Sequence, residues 1–127
     1  MSEGLDKKKI LLVDDAPENI SVLMAALKSE FKVVPALNGE KALVMAQKEN
    51  PPDIILLDVM MPGMDGYEVC KRLKADERTK NIPVIFVTGM DGKDDTSRGF
   101  ELGAVDYITK PVDSVEVMTV VKKHLGL

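Results

Sequence analysis

The chain has 127 residues, the size of one domain, and its 45% hydrophobic and 30% charged residues are ordinary for a globular protein. The net charge of −4 argues against nucleic acid as a direct partner, and a single cysteine excludes an internal disulfide and fits a reducing cytoplasm. No apolar run approaches the roughly 18 residues of a membrane-spanning helix, so no membrane partner is expected.

The predicted elements alternate between strands and helices. Short apolar runs predict strands, and apolar residues that recur every three or four positions predict helices. In chain order we expect strand 9–14, helix 18–30, strand 32–37, helix 38–50, strand 53–58, helix 65–76, strand 82–88, helix 92–104, strand 105–110 and a helix that begins after residue 113.

A few residues refine these elements. Pro35 indicates an edge strand, since proline cannot donate to a sheet ladder. Asn38, Asp65 and Asp113 are candidate helix N-caps. The helix over 92–104 contains two internal glycines, so we expect it to be weak and mobile.

Five apolar strands with intervening helices predict a parallel sheet covered on both faces. The expected architecture is an α/β, flavodoxin-like, doubly wound (βα)5 fold with strand order 2-1-3-4-5. It forms a single domain over residues 1–127, with a core from about 9 to 125. In such sheets ligands bind beyond the carboxyl ends of the strands, near strands 1 and 3.

Polar residues end the central predicted strands. Asp14 and Asp15 end strand 1, Asp58 ends strand 3, and Thr88 and Lys110 end strands 4 and 5. Each alone has an ordinary explanation, as a turn former, a strand-end residue or a solvated lysine. Together at one sheet edge, three carboxylates would take up a proton or bind a cation, and oxygen ligands with open positions suit Mg²⁺.

These motifs resemble the receiver domain of two-component response regulators, a phospho-acceptor domain like that of the chemotaxis regulators. The resemblance covers the chain from about Lys9 to Leu125. It rests on the Asp14-Asp15 pair, on "LLDVMMPGMDG" around Asp58, on "VTGMD", and on "YITKP". Any one of these motifs is weak, but their order and spacing together are specific.

The resemblance implies a metal site. Asp15, Asp58 and the backbone carbonyl of Met60 would bind Mg²⁺, with Mn²⁺ as an alternative, and Asp14 would act through water. It also implies that Asp58 accepts a phosphoryl group from the phosphohistidine of a sensor histidine kinase or phosphotransfer protein.

The resemblance implies further roles in phosphoryl transfer and switching. Lys110 and Thr88 would contact the phosphoryl oxygens beside Asp58, and Lys110-Pro111 would be a cis peptide. Thr88 would then move and Tyr107 would turn inward, changing the face made by helix 4, strand 5 and helix 5. That face would bind a downstream effector or a missing output domain, or form a phosphorylation-dependent dimer. The chain would be a signalling domain and not an enzyme, apart from catalysing its own phosphorylation and dephosphorylation.

Several residues receive separate interpretations. Met60 and Met90 occupy positions where polar residues can position the hydrolytic water in the family, so we hypothesise a long-lived aspartyl phosphate. The alternative is that both are simply loop residues. His124 is interpreted as a favourable helix C-terminal residue and Cys70 as core filler. Asp91 and Asp94 are interpreted as caps or solvated charges.

Three alternative functions remain at this point. A Mg²⁺-dependent phosphohydrolase with an aspartyl nucleophile often has a second acid two residues later, where this chain has Met60. A flavin module would need a phosphate loop, where this chain has the acidic "DDAPEN". A degenerate receiver used only for docking would not need Asp58, Thr88 and Lys110.

Overall fold

A computed structural model describes residues 7–89 and 93–127, with side chains from Ser97 onward in the second range. Its ten elements alternate as predicted. They are β1 (Lys9–Val13), α1 (Pro17–Leu27), β2 (Lys32–Ala36), α2 (Gly39–Ala46), β3 (Ile54–Asp58), α3 (Gly66–Ala75), β4 (Val84–Thr88), α4 (Lys93–Glu101), β5 (Asp106–Thr109) and α5 (Ser114–Leu125).

The five strands form one parallel sheet in the order β2-β1-β3-β4-β5. This confirms the predicted flavodoxin-like topology, and β2 with Pro35 is an edge strand, as expected. The chain order reverses between β1 and β3. Doubly wound sheets bind ligands in the crevice at such a reversal, which here lies at the carboxyl ends of β1 and β3.

The two faces of the sheet carry separate hydrophobic layers. Alternate residues of a strand point to opposite faces, so Leu11 and Val13 pack under α2 and α3, whereas Ile10 and Leu12 pack under α1 and α5. Every residue of β3 and β4 is buried. These central strands form a rigid support for the residues at their carboxyl ends.

The helix ends differ in detail from the sequence-based expectation. The three N-caps are confirmed, because Asn38, Asp65 and Asp113 each accept a hydrogen bond from a backbone N–H of the first turn. The predicted helices over 18–30, 38–50 and 92–104 are too long. The third of them ends at Glu101, and Gly103 lies beyond the helix with a φ of 109°. The residues past the ends of the first two helices, 28–30 and 47–50, are polar and mostly exposed, so no buried apolar face extends either helix over them.

Within the described ranges, no helix has both the length and the apolar character needed to cross a bilayer.

Candidate functional site

Strand register brings the acidic residues together. Val13 of β1 is the partner of Leu57 in β3, so Asp14 and Asp58 occupy the next positions of neighbouring strands. Asp58 is in turn the partner of Val87, which places Thr88 one step further along β4. Thr88 is the partner of Thr109, and Lys110 follows directly. The predicted site residues therefore lie in successive rows at one edge of the sheet.

Lys110 bridges the two buried carboxylates. Its Nζ atom lies 3.0 Å from Oδ2 of Asp14 and 3.4 Å from Oδ1 of Asp58. Its backbone N–H donates to the carbonyl of Thr88 over 2.8 Å. The Lys110-Pro111 peptide bond is cis. Asp14 and Asp58 are 2% and 5% exposed, so neither can relieve its charge by solvation alone.

The electrostatic environment shifts the ionisation of this pair. Burial and the charge of Asp14 raise the pKa of Asp58, although Lys110 and the backbone of Met60 oppose the shift. Burial alone would lower the pKa of Lys110, but the hydrogen bond to Asp14 and the charge of Asp58 raise it. Lys110 therefore stays charged, while Asp58 binds a proton more readily than a solvated aspartate.

A third carboxylate completes a candidate metal site. Oxygens of Asp14, Asp15 and Asp58 all lie within 4.8 Å of one another, and Asp15 is exposed to solvent. Hard carboxylate oxygens at an open position suit Mg²⁺, which keeps several of its waters when bound to protein. Three carboxylates and one ammonium leave two net negative charges, the number that a divalent cation neutralises. The donor set therefore fits the predicted ion.

The site opens into a cavity of about 360 Å³. Its lining residues are Asp14, Asp15, Asn19, Asp58, Met60, Gly89 and Lys110. All but Asn19 and Gly89 were predicted as site residues. Asn19 was missed. The only sequence signal for it was its place in the first helical turn after the acidic pair.

A close backbone contact positions Asp58. The N–H of Gly66 donates to the carbonyl of Val59 over 2.9 Å, which folds the β3–α3 loop back onto the end of β3. A methyl group at Gly66 would collide with the carbonyl oxygen of Asp58 and come within 2.9 Å of its carbonyl carbon. Only glycine allows α3 to begin this close to the strand.

The predicted switch residues occupy different environments. Thr88 is buried at the end of β4. The ring of Tyr107 is stacked on Phe86 at 5.6 Å between centroids and meets Phe100 edge-on at 5.5 Å. A methyl group at Gly99 would collide with the Tyr107 hydroxyl, so this glycine provides packing room for the tyrosine. From the sequence alone, this glycine indicates only a weak helix.

The remaining predicted residues lie in different surroundings. Met60 is 63% exposed, whereas Met90, Asp91 and the side chain of Asp94 lie outside the described residues. Cys70 is a core residue, as predicted, and burial raises the pKa of its thiol. His124 lies in the last turn of α5, as predicted.

His124 also makes a contact that the sequence did not predict. Its Nε2 atom lies 2.7 Å from Oδ2 of Asp106, the first residue of β5. Burial on its own would raise the pKa of Asp106. The hydrogen bonds from His124 and from the N–H of Tyr107 outweigh it, so the pKa is lowered.

Comparisons with known proteins agree with this geometry. The family model of the response regulator receiver domain matches residues 10–122. Response regulator PleD of Caulobacter vibrioides is 51% identical over 108 residues, which are 84% of this chain and 24% of that protein. Protein PilH of Pseudomonas aeruginosa is 40% identical over 119 residues, covering 93% of this chain and 98% of that protein.

A solved structure of a receiver domain is also similar to this chain. The receiver domain of a sensor histidine kinase from Pseudomonas aeruginosa, which holds a magnesium ion in its active-site cleft, is 30% identical with a TM-score of 0.86. The match covers 95% of this chain and 99% of that one.

A doubly wound sheet with clustered aspartates and a lysine at its carboxyl edge defines the class of CheY-like α/β signalling domains. The chain belongs to the response regulator receiver domain family of two-component systems. It spans about a quarter of the length of PleD, the first of these relatives.

Proposed function

We propose that Asp58 accepts a phosphoryl group from the phosphohistidine of a sensor histidine kinase or phosphotransfer protein, in a Mg²⁺-dependent step. The observation that carries this proposal is the group of three carboxylates within 4.8 Å, beside the Lys110 ammonium, at the mouth of a cavity. A family member with a magnesium ion in its cleft supports the metal requirement.

In the proposed reaction, an oxygen of Asp58 attacks phosphorus as the bond from phosphorus to the donor imidazole breaks. The imidazole leaves with the electron pair of that bond, and the product is an acyl phosphate on Asp58. Bound Mg²⁺ supplies positive charge that lets two anions approach each other. Lys110 is 3.4 Å from the nucleophile and neutralises charge on the transferred group.

The other site residues have supporting roles. Asp15 and the carbonyl of Met60 would complete the metal ligands with Asp58, and Asp14 would hold Lys110 and act on the metal through water. The 3.0 Å contact between Lys110 and Asp14 supports this division, since it engages one Asp14 oxygen. Thr88, buried one residue beyond the partner of Asp58, would donate its hydroxyl to the phosphoryl group.

The proposed output is a change of the α4–β5–α5 face. Movement of Thr88 toward the phosphoryl group would alter packing around Tyr107, which contacts Phe86 of β4 and Phe100 of α4. An almost complete reversal of a two-state equilibrium needs about 5.5 kcal/mol of differential interaction. Hydrogen bonds to a charged group contribute about 1.5–3 kcal/mol each, so about two to four phosphoryl contacts suffice. The face would then bind an effector or a second copy.

Mass spectrometry tests the acceptor role. The protein is incubated with a small acyl-phosphate donor, with and without Mg²⁺, and we expect one phosphoryl group on Asp58 only when Mg²⁺ is present. Asp58→Asn should abolish the label. Equal labelling of that variant, or labelling in the presence of a chelator, would reject the proposal. Repeated turnover of an external phosphate ester would instead favour the phosphohydrolase.

A further inference from the structure

Asn19 is a polar residue of the cavity that has no role in the proposed phosphoryl transfer. It lies in the first turn of α1, where its backbone N–H donates to the carbonyl of Ala16 over 3.0 Å. It is partly buried and lines the cavity with the three aspartates. Among the described backbone and side-chain atoms, no hydrogen bond engages its side-chain amide. A fixed helical position thus holds an uncommitted amide at the metal site.

Two of the three aspartates, Asp14 and Asp58, already have partners. Oδ1 of Asp14 accepts the N–H of Ala16 over 2.9 Å, and its Oδ2 contacts Lys110 at 3.0 Å. Asp58 shares the same ammonium. A hydrated Mg²⁺ takes one or two carboxylates and keeps several waters, and each of those waters needs hydrogen-bond acceptors. The Asn19 amide oxygen is an acceptor of this kind at the cavity wall.

We propose that the Asn19 side chain accepts a hydrogen bond from a metal-bound water, and so strengthens divalent-cation binding without adding negative charge. The inference rests on the proposed Mg²⁺-dependent function and assigns a positioning residue to the same site. An amide is the better side chain here than a carboxylate. A fourth carboxylate would leave the loaded site with net negative charge, which would repel an anionic phosphoryl donor.

The test measures metal binding in the full, unphosphorylated chain, with no phosphoryl donor present. The sequence has no tryptophan, so Mg²⁺ binding is followed by calorimetry and Mn²⁺ binding by the loss of the free-ion electron paramagnetic resonance signal. We expect Asn19→Ala to lower the affinity for both ions by about three- to tenfold, which corresponds to the loss of one hydrogen bond. Asn19→Leu keeps the side-chain volume and should give the same loss. Ser21→Ala, an exposed position of the same helix, is the matched control and should bind as the native chain does.

Asn19→Asp separates the charge from the hydrogen bond. We expect it to bind Mg²⁺ more tightly than the native chain, but to be labelled more slowly by a small acyl phosphate at saturating Mg²⁺. Native affinity for both ions, within twofold, in Asn19→Ala and Asn19→Leu would overturn the inference. Such a result would leave labelling of Asp58 intact, whereas failure of the proposed function would abolish labelling whatever the effect of Asn19 on metal binding.

Discussion

The Nζ atom of Lys110 lies 3.0 Å from Oδ2 of Asp14, although 96 positions in the chain separate the two residues. The same ammonium is 3.4 Å from Asp58, so one cation serves two buried carboxylates. This arrangement lowers the net negative charge of the candidate metal site and leaves a positive charge beside Asp58, the proposed nucleophile. The two consequences can be separated by experiment, because they have opposite effects on metal binding and on phosphorylation.

Lys110→Met should therefore bind Mg²⁺ more tightly and accept a phosphoryl group more slowly. Removing the ammonium makes the net charge of the acidic site more negative, with three negative charges in place of two. The more negative site binds a divalent cation more tightly. Loss of one transition-state contact should slow labelling by an acyl phosphate by about 100-fold. Calorimetry and time-resolved mass spectrometry measure the two effects. Lys41→Met, at an exposed position of α2, is the control. Weaker Mg²⁺ binding in the Lys110 variant would contradict this account.

Asp58→Asn should make the metal-free protein more stable at neutral pH. Burial and the charge of Asp14 raise the pKa of Asp58, so the folded state binds this proton more tightly than the unfolded chain. Ionised Asp58 therefore costs stability as the pH rises above the ordinary aspartate range, and the amide avoids that cost. We expect a gain of about 1 kcal/mol, or about 3–4 °C in Tm.

Thermal melts with and without Mg²⁺ measure this difference. Mg²⁺ should stabilise the native chain, since a ligand of the folded state adds stability, and so reduce the difference in Tm between the variant and the native chain. This difference in Tm should also disappear at low pH, where Asp58 is protonated. Asp15→Asn should have a smaller effect, because Asp15 is exposed. A less stable Asp58→Asn variant at pH 7 would show that repulsion at this site is negligible.

Gly66→Ala should destabilise the fold and displace Asp58. The added methyl group would meet the backbone of Asp58 and Val59, which cannot move aside as a flexible side chain would. We expect a loss of about 2–3 kcal/mol in denaturant unfolding and slower labelling of Asp58. Gly89→Ala is the stability control, because a methyl group there meets none of the described atoms within 4 Å. Equal stability of the two variants would mean that the β3–α3 loop adapts freely.

The fold and the meeting of the strand-end residues at one edge of the sheet were predictable because local sequence features determine them. The topology follows from five apolar runs with short connections, and it places every strand end at the same edge. Asp14, Asp58 and Lys110 could then be brought together without any knowledge of distances. The structure adds the register, which puts Asp14 and Asp58 side by side.

The features that sequence analysis missed depend on contacts between distant segments. Asn19 stands in a helix whose pattern is explained by its apolar residues, and its place soon after the acidic pair does not show which way its side chain points. The packing role of Gly99 depends on the position of Tyr107, which comes from another element. His124 and Asp106 are 18 positions apart, and neither lies in a recognisable motif with the other.

Met60→Asn together with Met90→Glu should speed loss of the phosphoryl group. Met60 lines the cavity and is largely exposed, and a thioether is only a weak acceptor for a water molecule. An amide and a carboxylate could position the attacking water, and a gain of about 1.4 kcal/mol would give roughly tenfold faster hydrolysis. Loss of mass from the labelled protein over time measures the rate. Met60→Leu with Met90→Leu should keep the native rate, and an unchanged or slower rate in the polar variant would reject the hypothesis.

The contact between His124 and Asp106 should make the free energy of unfolding depend on pH in the acidic range. The pKa of Asp106 is lowered, because hydrogen bonds from His124 and Tyr107 outweigh the effect of burial, and Lys123 adds further positive charge. A lowered pKa means that the contribution is complete above the unfolded-state value of about 3.9 and is lost as the pH falls through the lower folded-state value. Urea unfolding of the native chain from about pH 5 to pH 2.5 should show this loss, and Asp106→Asn should show a shallower dependence. Glu116→Gln, an exposed position of α5, should keep the pH dependence of the native chain.

Combining Asp106→Asn with His124→Gln in a double-mutant cycle at pH 5 should give a coupling free energy of about 1 kcal/mol. Independent effects of the two substitutions would show that the contact does not hold β5 to the end of α5.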